Sequence, residues 1–297
     1  MLILTIYCFS ATAIAALVYI NSLAKRRKHL AQILWVAKWV QQLRRLLELL
    51  PKHRGMANAL LKGDDSFRQP LHNLQREVDG QLEAMRRLAL ERGNQAVSRR
   101  LQPIEREWQA IRDGVMTMQA AKSFSLHTRL IAKVLERMED DASSLQSLAQ
   151  NNDALRSLLT VLTHDLPHIV ESIGQARGIG TGVAAQRASS VANRVNLKFL
   201  HEKTSSIIDC QLSPLRASAR RYQAMGLNFT DVIDKAVSSA QSFTAMMQSE
   251  LIEKNPPTVA PDTFYQHGTA AIEAGFQLFD TLYPRWLEVL GLNYRAL

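Results

Sequence analysis

The sequence predicts an all-α protein in which one N-terminal transmembrane helix is followed by two stacked helical bundles. Long segments place apolar residues at helical spacing, and no long segment alternates apolar and polar residues as a strand does. Glycine and proline are sparse, at 13 and 9 of 297 residues, and fall mainly between these segments. More helical segments follow the membrane helix than can pack around one apolar core, which favours two bundles.

The N-terminal segment predicts a membrane-spanning helix. Residues 2–24 contain no Lys, Arg, Asp or Glu, and Lys25, Arg26, Arg27 and Lys28 follow at once. About 20 apolar residues suffice to cross a bilayer. Because basic residues mark the cytoplasmic side, we expect a single-pass protein of the inner membrane with its soluble part in the cytoplasm. A cleaved signal peptide is the alternative, but it would need basic residues before the apolar run.

The transmembrane helix, within residues 1–24, should continue without a loop. Residues 25–50 are expected to form a basic juxtamembrane segment and connecting helix, which enters a helical domain over residues 35–292. Pro51 removes a helical hydrogen bond and should kink this helix, which Gly63 then ends.

Capping and helix-breaking residues place the remaining helices. Asp64 is typical of a residue that precedes a helix, and Gly93 of one that ends a helix. Pro103 and Pro167 fit the first turn of a helix. Thr230 is the expected N-cap of the helix before last. These signals predict helices over residues 68–90, 103–121, 125–149, 153–163, 165–186, 191–222, 230–253 and 263–290.

The charge and the cysteines narrow the classes of function. The net charge of +9 comes from 36 basic and 27 acidic residues, and it favours a basic surface beside acidic lipid headgroups. No basic stripe is interleaved with aromatic residues, and no DNA-binding motif appears, so we expect no nucleic-acid partner. Cys8 and Cys210 form neither a CxxC pair nor a disulfide framework.

Two segments of the chain are similar to each other. Residues 54–60 and 177–183 share the order Arg, Gly, apolar, small, polar, small, apolar, as a duplicated bundle would produce. Glycine inside a helix costs about 1 kcal/mol relative to alanine. The glycines of the second copy are therefore explained best if a helix or a small ligand must come close.

The arginines that open the two copies are candidate anion ligands. A guanidinium group offers a planar set of donors, and a carboxylate or nitrate can accept two parallel hydrogen bonds from it. The alternative is that Arg54 and Arg177 simply form ion pairs with acidic residues such as Glu83 or Glu171.

Around these arginines the sequence resembles the nitrate- and nitrite-sensing domain family of bacterial signalling proteins. Residues 50–57 are similar to the first motif of the family, with His53 in place of the usual acidic residue. Residues 171–180 are similar to the second motif, with Ala176 where an acidic residue is common. Residues 262–290 resemble the closing helix of the family, and the whole resemblance covers about residues 35–292.

The resemblance implies two stacked four-helix bundles that hold nitrate or nitrite near arginines. Carried over by motif position, it predicts that the ligand is bound by Arg54, Arg177, Gly55 and Gly178, with Arg220 and Arg221 as additional contacts.

No catalytic, cofactor or metal site is predicted. The sequence has no nucleophile triad, phosphate-binding glycine loop or dinucleotide fingerprint. His164, His168 and Glu171 would share one face of an unbroken helix and could hold a metal. Because Pro167 is expected to start a new helix, this arrangement should not form.

The leading hypothesis is a membrane-anchored nitrate or nitrite sensor that is not an enzyme. No output domain is recognisable, so the signal should pass through a separate signalling protein, a homodimer or the membrane helix. One alternative is a membrane-tethered helical scaffold that has lost ligand binding. Another is a peripheral binder of anionic lipid or nucleic acid, which strong salt dependence of binding would reveal.

Overall fold

A computed structural model describes residues 2–91 and 95–292, with side chains for all of these except residues 2–16 and 95–98. The described residues form helices and no strand, so the predicted all-α class is confirmed. The N-terminal helix group consists of α1 (Leu2–Leu61), α2 (Arg68–Glu91), α3 (Gln95–Gly114) and α4 (Ala120–Ser143). The following helices are α5 (Asp153–Thr160), α6 (Leu166–Gln186), α7 (Val191–Ile207), α8 (Ser213–Ala217), α9 (Ala219–Gln223), α10 (Thr230–Met247) and α11 (Pro261–Val289).

The larger helices pack in two closed rings. In the N-terminal helix group, α1 contacts α2 and α4, and α3 closes the ring between them. In the C-terminal helix group, α6 contacts α7 and α11, and α10 packs against both. Helix α6 also touches α1 and α4. One apolar core continues from the first ring into the second, so burial of apolar surface holds the two groups together.

Buried tryptophans link neighbouring helices in both groups through hydrogen bonds. The indole N–H of Trp39 in α1 donates to the carboxylate of Asp141 in α4 at 2.7 Å. Trp286 in α11 donates to the backbone carbonyl of Leu155 in α5, also at 2.7 Å. Each side chain therefore buries its ring while its polar N–H is satisfied, as a buried tryptophan requires.

Helix α1 runs unbroken through Pro51 and ends at Leu61. Leu49 and Leu50 are buried directly before the proline, so packing continues across the position where one hydrogen bond is lost. Gly63 follows in the turn with a φ of +102°. The predicted continuation of the first helix and its end near Gly63 are thus confirmed.

Among the residues that the structure describes, no helix combines the length and the apolar character needed to cross a bilayer. The predicted span at 1–24 falls partly on residues 1–16, whose side chains lie outside the described part of the chain. The predicted transmembrane helix is therefore not confirmed.

One predicted helix start and one predicted helix cap are wrong. Pro103 lies inside α3, because buried Leu101 and Ile104 keep the apolar spacing on both sides of it and packing outweighs one missing hydrogen bond. Thr230 is the first residue of α10 rather than its cap; Phe229 occupies the cap position without a side-chain hydrogen bond. The expected stop at Gly93 lies outside the described residues.

The break expected at Pro167 is also absent. A π-turn over Val161–Asp165 joins α5 to α6, and the N–H of Leu166 donates to the carbonyl of Val161. Such wide turns insert a residue into an otherwise continuous helix. The helix therefore extends from Asp153 to Gln186. This continuity determines the directions in which His164 and His168 point.

Candidate functional site

Arg54 is buried at the contact between the two helix groups and is paired with Glu171. The side chain of Arg54, on α1, is 2% exposed. Its two terminal nitrogens donate to the two carboxylate oxygens of Glu171 on α6, at 2.5 and 3.1 Å. This is the two-point geometry in which a guanidinium recognises any planar oxyanion. The alternative of an ordinary ion pair is thus confirmed for Arg54, with Glu171 and not Glu83 as its partner.

The pocket around Arg54 is built by α4 and α6. The guanidinium stacks over the ring of Phe124, 4.9 Å from its centroid, and donates to the hydroxyl of Thr128 at 3.1 Å. A Cβ at Gly174 would lie 3.2 Å from an Arg54 nitrogen, so glycine leaves the room that this side chain occupies. Gln175 donates to the same carboxylate of Glu171 at 2.7 Å.

Arg177 is buried without an ion pair. It is 8% exposed, donates to the hydroxyl of Thr269 at 2.7 Å, and lies over the ring of Tyr265 at 4.7 Å. Among the described residues, no carboxylate lies within ion-pair distance of it. Burial lowers the pKa of Arg177, and the charge of Arg54 acts in the same direction, whereas Tyr265, Glu273 and Glu171 act in the opposite direction.

A cavity of about 420 Å³ opens beside Arg177. Its wall brings together α1, α6 and α11, and its charged residues are Glu48, Lys52, Arg177, Glu273 and Asp280. Nitrate or nitrite fits this volume easily. Arg54 does not line the cavity, so the two arginines do not face one shared space in this structure, contrary to what a two-arginine clamp requires.

A neutral histidine pair lies directly beside Arg54 in the sequence and in space. His53 and His127 are both fully buried. The Nδ1 of His53 is 2.7 Å from the Nε2 of His127, whose Nδ1 is 2.7 Å from the carbonyl of Ser123. The two contacts are satisfied when each Nδ1 donates. Burial lowers the pKa of His53 to about 2 and that of His127 to about 4.

Comparisons with known proteins identify the family of the chain. A family model described as nitrate and nitrite sensing matches residues 45–283. The chain belongs to this family. A solved structure, that of the NasR transcription antiterminator, is similar with a TM-score of 0.66 and 17% identity, over 95% of this chain and 75% of that one. At this identity the similarity concerns the fold. No curated protein matches the chain.

The other residues carried over from the nitrate- and nitrite-sensing family lie elsewhere or pack differently. A Cβ added to Gly55 would meet nothing within 4 Å, so no close approach explains this glycine. A Cβ at Gly178 would lie 3.1 Å from the ring of Phe124, so the glycine serves packing against α4. Arg220 and Arg221 are exposed on α9 and do not line the cavity.

Sequence reasoning missed the α11 side of the site. Thr269 contacts Arg177 across 92 positions of the chain, and Gly268 leaves room for the stem of that arginine, since its Cβ would lie 3.0 Å from it. No local pattern signals such a pairing, because it follows from the packing of α6 on α11. Tyr265 lies in the closing helix recognised by resemblance, but the resemblance gave it no role.

Proposed function

We propose that the chain senses nitrate or nitrite, that the anion binds at Arg177, and that Arg54 joins the site when Glu171 releases it. The observation that carries this proposal is the burial of Arg177 without a carboxylate partner in the described part of the chain. The family supports the identity of the ligand, and the cavity supplies the space.

A buried, unpaired guanidinium favours an anion beside it. Burying a charge without a counter-ion is costly, and the hydroxyl of Thr269 compensates little of this cost because it is neutral. A monovalent anion would give the guanidinium a negative charge in direct contact, which the more distant carboxylates of Glu273 and Glu171 do not. Nitrate and nitrite are planar, so either can accept two parallel hydrogen bonds from the guanidinium, which chloride cannot.

Glu171 already presents a planar anion to Arg54. Its carboxylate occupies the donors of Arg54 in the two-point geometry that nitrate would use. An anion between Arg54 and Arg177 must therefore displace this carboxylate, and the displacement would change the contact of α1 with α6. A ligand shifts such an equilibrium only by its difference in affinity between the two arrangements.

Titration calorimetry of the whole chain with nitrate, nitrite and chloride tests the proposal. We expect saturable heat with nitrate or nitrite and none with chloride. Arg177→Lys keeps the charge but loses the planar donors, and it should abolish the heat. The double variant Arg220→Lys, Arg221→Lys is the matched control and should bind like the unmodified chain, since both residues are exposed on α9.

A second variant tests the role of Glu171. Glu171→Gln removes the competing charge, so we expect tighter binding of nitrate, together with a loss of about 3–5 kcal/mol of stability without ligand because Arg54 loses its partner. Weaker binding in a variant that still folds, judged by circular dichroism, would contradict displacement and make Glu171 part of the ligand shell.

The second candidate function is a helical scaffold without ligand. The occupied donors of Arg54 favour it, because this arginine needs no anion to be satisfied. It predicts no heat with any of the three anions, and a stable protein partner in pull-down experiments.

We further propose that the two helix groups are the stacked four-helix bundles of the family, and that the signal passes to a separate protein partner or a homodimer. Residues 2–24 are proposed to attach the chain to the inner membrane, with the remainder in the cytoplasm. The exposed side chains of Leu17 and Ile20, followed by the exposed basic residues Lys25 to Lys28, support this. Release from membranes by high salt alone would contradict it. The absence of a nucleic-acid partner and of catalysis stays a prediction.

A further inference from the structure

A cluster of two histidines and a glutamate lies where α4 packs against the π-turn and the start of α6. Glu139 on α4, His164 in the π-turn and His168 on α6 each offer a ligand atom, and these atoms lie within 4.8 Å of one another. We propose that this cluster binds a transition-metal ion such as Zn²⁺.

The unbroken helix through Pro167 creates the cluster. Because the π-turn carries α5 into α6, His164 and His168 point to the same side, with ring centroids 4.9 Å apart. Two histidines four positions apart on one helical face are a recurrent metal-binding arrangement. No metal site was predicted from the sequence, because Pro167 was expected to start a new helix. The third ligand considered there was Glu171. The structure supplies Glu139 instead and uses Glu171 for Arg54.

The ring nitrogens already converge on one carboxylate. The Nε2 of His168 is 2.7 Å from one oxygen of Glu139, and the Nε2 of His164 is 3.9 Å from the other. Ligands around a tetrahedral Zn²⁺ lie about 2 Å from the metal and thus roughly 3.4 Å from one another. Small side-chain rotations therefore bring the three atoms into place. The proton that Nε2 of His168 now donates to Glu139 would be exchanged through solvent for one on Nδ1, which leaves Nε2 of the neutral ring free to bind the metal.

Asp165 orients one of the histidines as metal sites commonly require. Its carboxylate is 2.9 Å from the Nδ1 of His164, so this nitrogen carries the proton and the Nε2 is left as the metal ligand. A carboxylate in this position fixes the tautomer and raises the basicity of the ring. Asp165 is itself 7% exposed and is held in the π-turn.

The cluster is accessible and has room for a further ligand. The side chains of His164, His168 and Glu139 are 49, 25 and 32% exposed. A cavity of about 270 Å³ adjoins Glu139, His164 and Asp165. Two imidazoles, one carboxylate and a water make a donor set suited to Zn²⁺ and related ions, whereas Mg²⁺ and Ca²⁺ prefer oxygen ligands alone.

Titration calorimetry of the full chain, freed of metal by chelator, with Zn²⁺ tests the proposal. We expect one Zn²⁺ ion to bind per chain. When Co²⁺ replaces Zn²⁺, we expect visible absorption bands typical of a Co²⁺ ion in a low-symmetry coordination sphere. His164→Asn should abolish both signals; this residue is half exposed, so the variant should fold. His72→Asn is the matched control, since His72 is an exposed histidine on α2, and it should bind like the unmodified chain.

Two further variants separate a built site from an adventitious one. Glu139→Gln should abolish binding, and Asp165→Asn should weaken it by roughly 10–100-fold, the usual effect of losing a carboxylate behind a ligating histidine. The proposal is overturned if the unmodified chain takes up no Zn²⁺ at one equivalent. Equal uptake by His164→Asn and the unmodified chain overturns it as well.

Discussion

Acidification should destabilise the fold through the buried pair of His53 and His127. Both rings are neutral in the folded chain, because burial lowers the pKa of each. In the unfolded chain they regain an ordinary histidine pKa of about 6.5. Between these values the unfolded state binds more protons than the folded state, so stability falls as the pH drops below about 6.5. A charged His53 would also present an N–H at Nε2, which has no hydrogen-bond partner among the described residues.

The size of this effect follows from the two pKa values. At pH 5 an unfolded histidine is protonated almost completely, and its proton uptake is worth about 2 kcal/mol relative to a ring that stays neutral. The folded values of about 2 and about 4 keep both rings essentially neutral at that pH. The two rings together therefore remove about 4 kcal/mol between pH 7.5 and 5, a large share of the stability of an ordinary domain.

Urea unfolding at a series of pH values, followed by circular dichroism, measures this loss. His127→Gln is the informative variant, because a glutamine amide can donate to the carbonyl of Ser123 and accept from the Nδ1 of His53. One titrating ring then remains, so the loss between pH 7.5 and 5 should fall to about 2 kcal/mol. The comparison cancels the contributions of other groups. If the unmodified chain and the variant lose the same stability over this range, the reasoning is refuted.

Two further predictions concern packing. Gly180→Ala should destabilise the fold by about 1–3 kcal/mol through overpacking, because the new Cβ would overlap the ring of Phe264 and lie 2.7 Å from Leu251. Its control, Gly80→Ala, meets nothing within 4 Å and should be neutral or stabilising by up to about 1 kcal/mol; thermal melting distinguishes the two. Trp286→Phe should cost about 1–3 kcal/mol, since the carbonyl of Leu155 loses its buried donor. A lower denaturation midpoint with an unchanged slope would show this.

The helices were predictable because, in most of them, apolar residues recur at regular helical spacing along one face. The same rules failed where tertiary packing overrides a local signal. Pro103 and Pro167 looked like helix starts, yet both lie in continuous helical segments. At Pro103 buried neighbours on both sides hold the helix, and at Pro167 a π-turn accommodates the proline. The residues adjacent to each proline do not indicate that such compensation will occur.

The candidate site was predictable only in part. The repeated pattern drew attention to Arg54 and Arg177, and Glu83 and Glu171 were both predicted as alternative ion-pair partners. The sequence could not decide between an ion pair and a ligand site, because that choice depends on how α6 lies against α1. The contact of Arg177 with Thr269 depends in the same way on how α6 packs against α11.

The departure from the family pattern at His53 acquires a physical meaning in the fold. Arg54 does not lack an acidic partner, because Glu171 supplies one from the second motif. His53 occupies a buried position where a neutral ring paired with His127 costs less than an unpaired carboxylate would. Loss of the usual acidic neighbour therefore does not by itself imply loss of function.

Both proposed sites lie on the helix that extends from Asp153 to Gln186. His168 and Glu171 are three positions apart on it, and they reach α4 and α1 respectively. A metal held by Glu139 would fix this helix against α4, whereas an anion that displaces Glu171 would loosen it from α1. If the two contacts move together, each ligand must change the affinity of the other by the same factor. If they do not, the helix is rigid enough for the sites to be independent, and the Arg54–Glu171 contact alone would have to carry the signal.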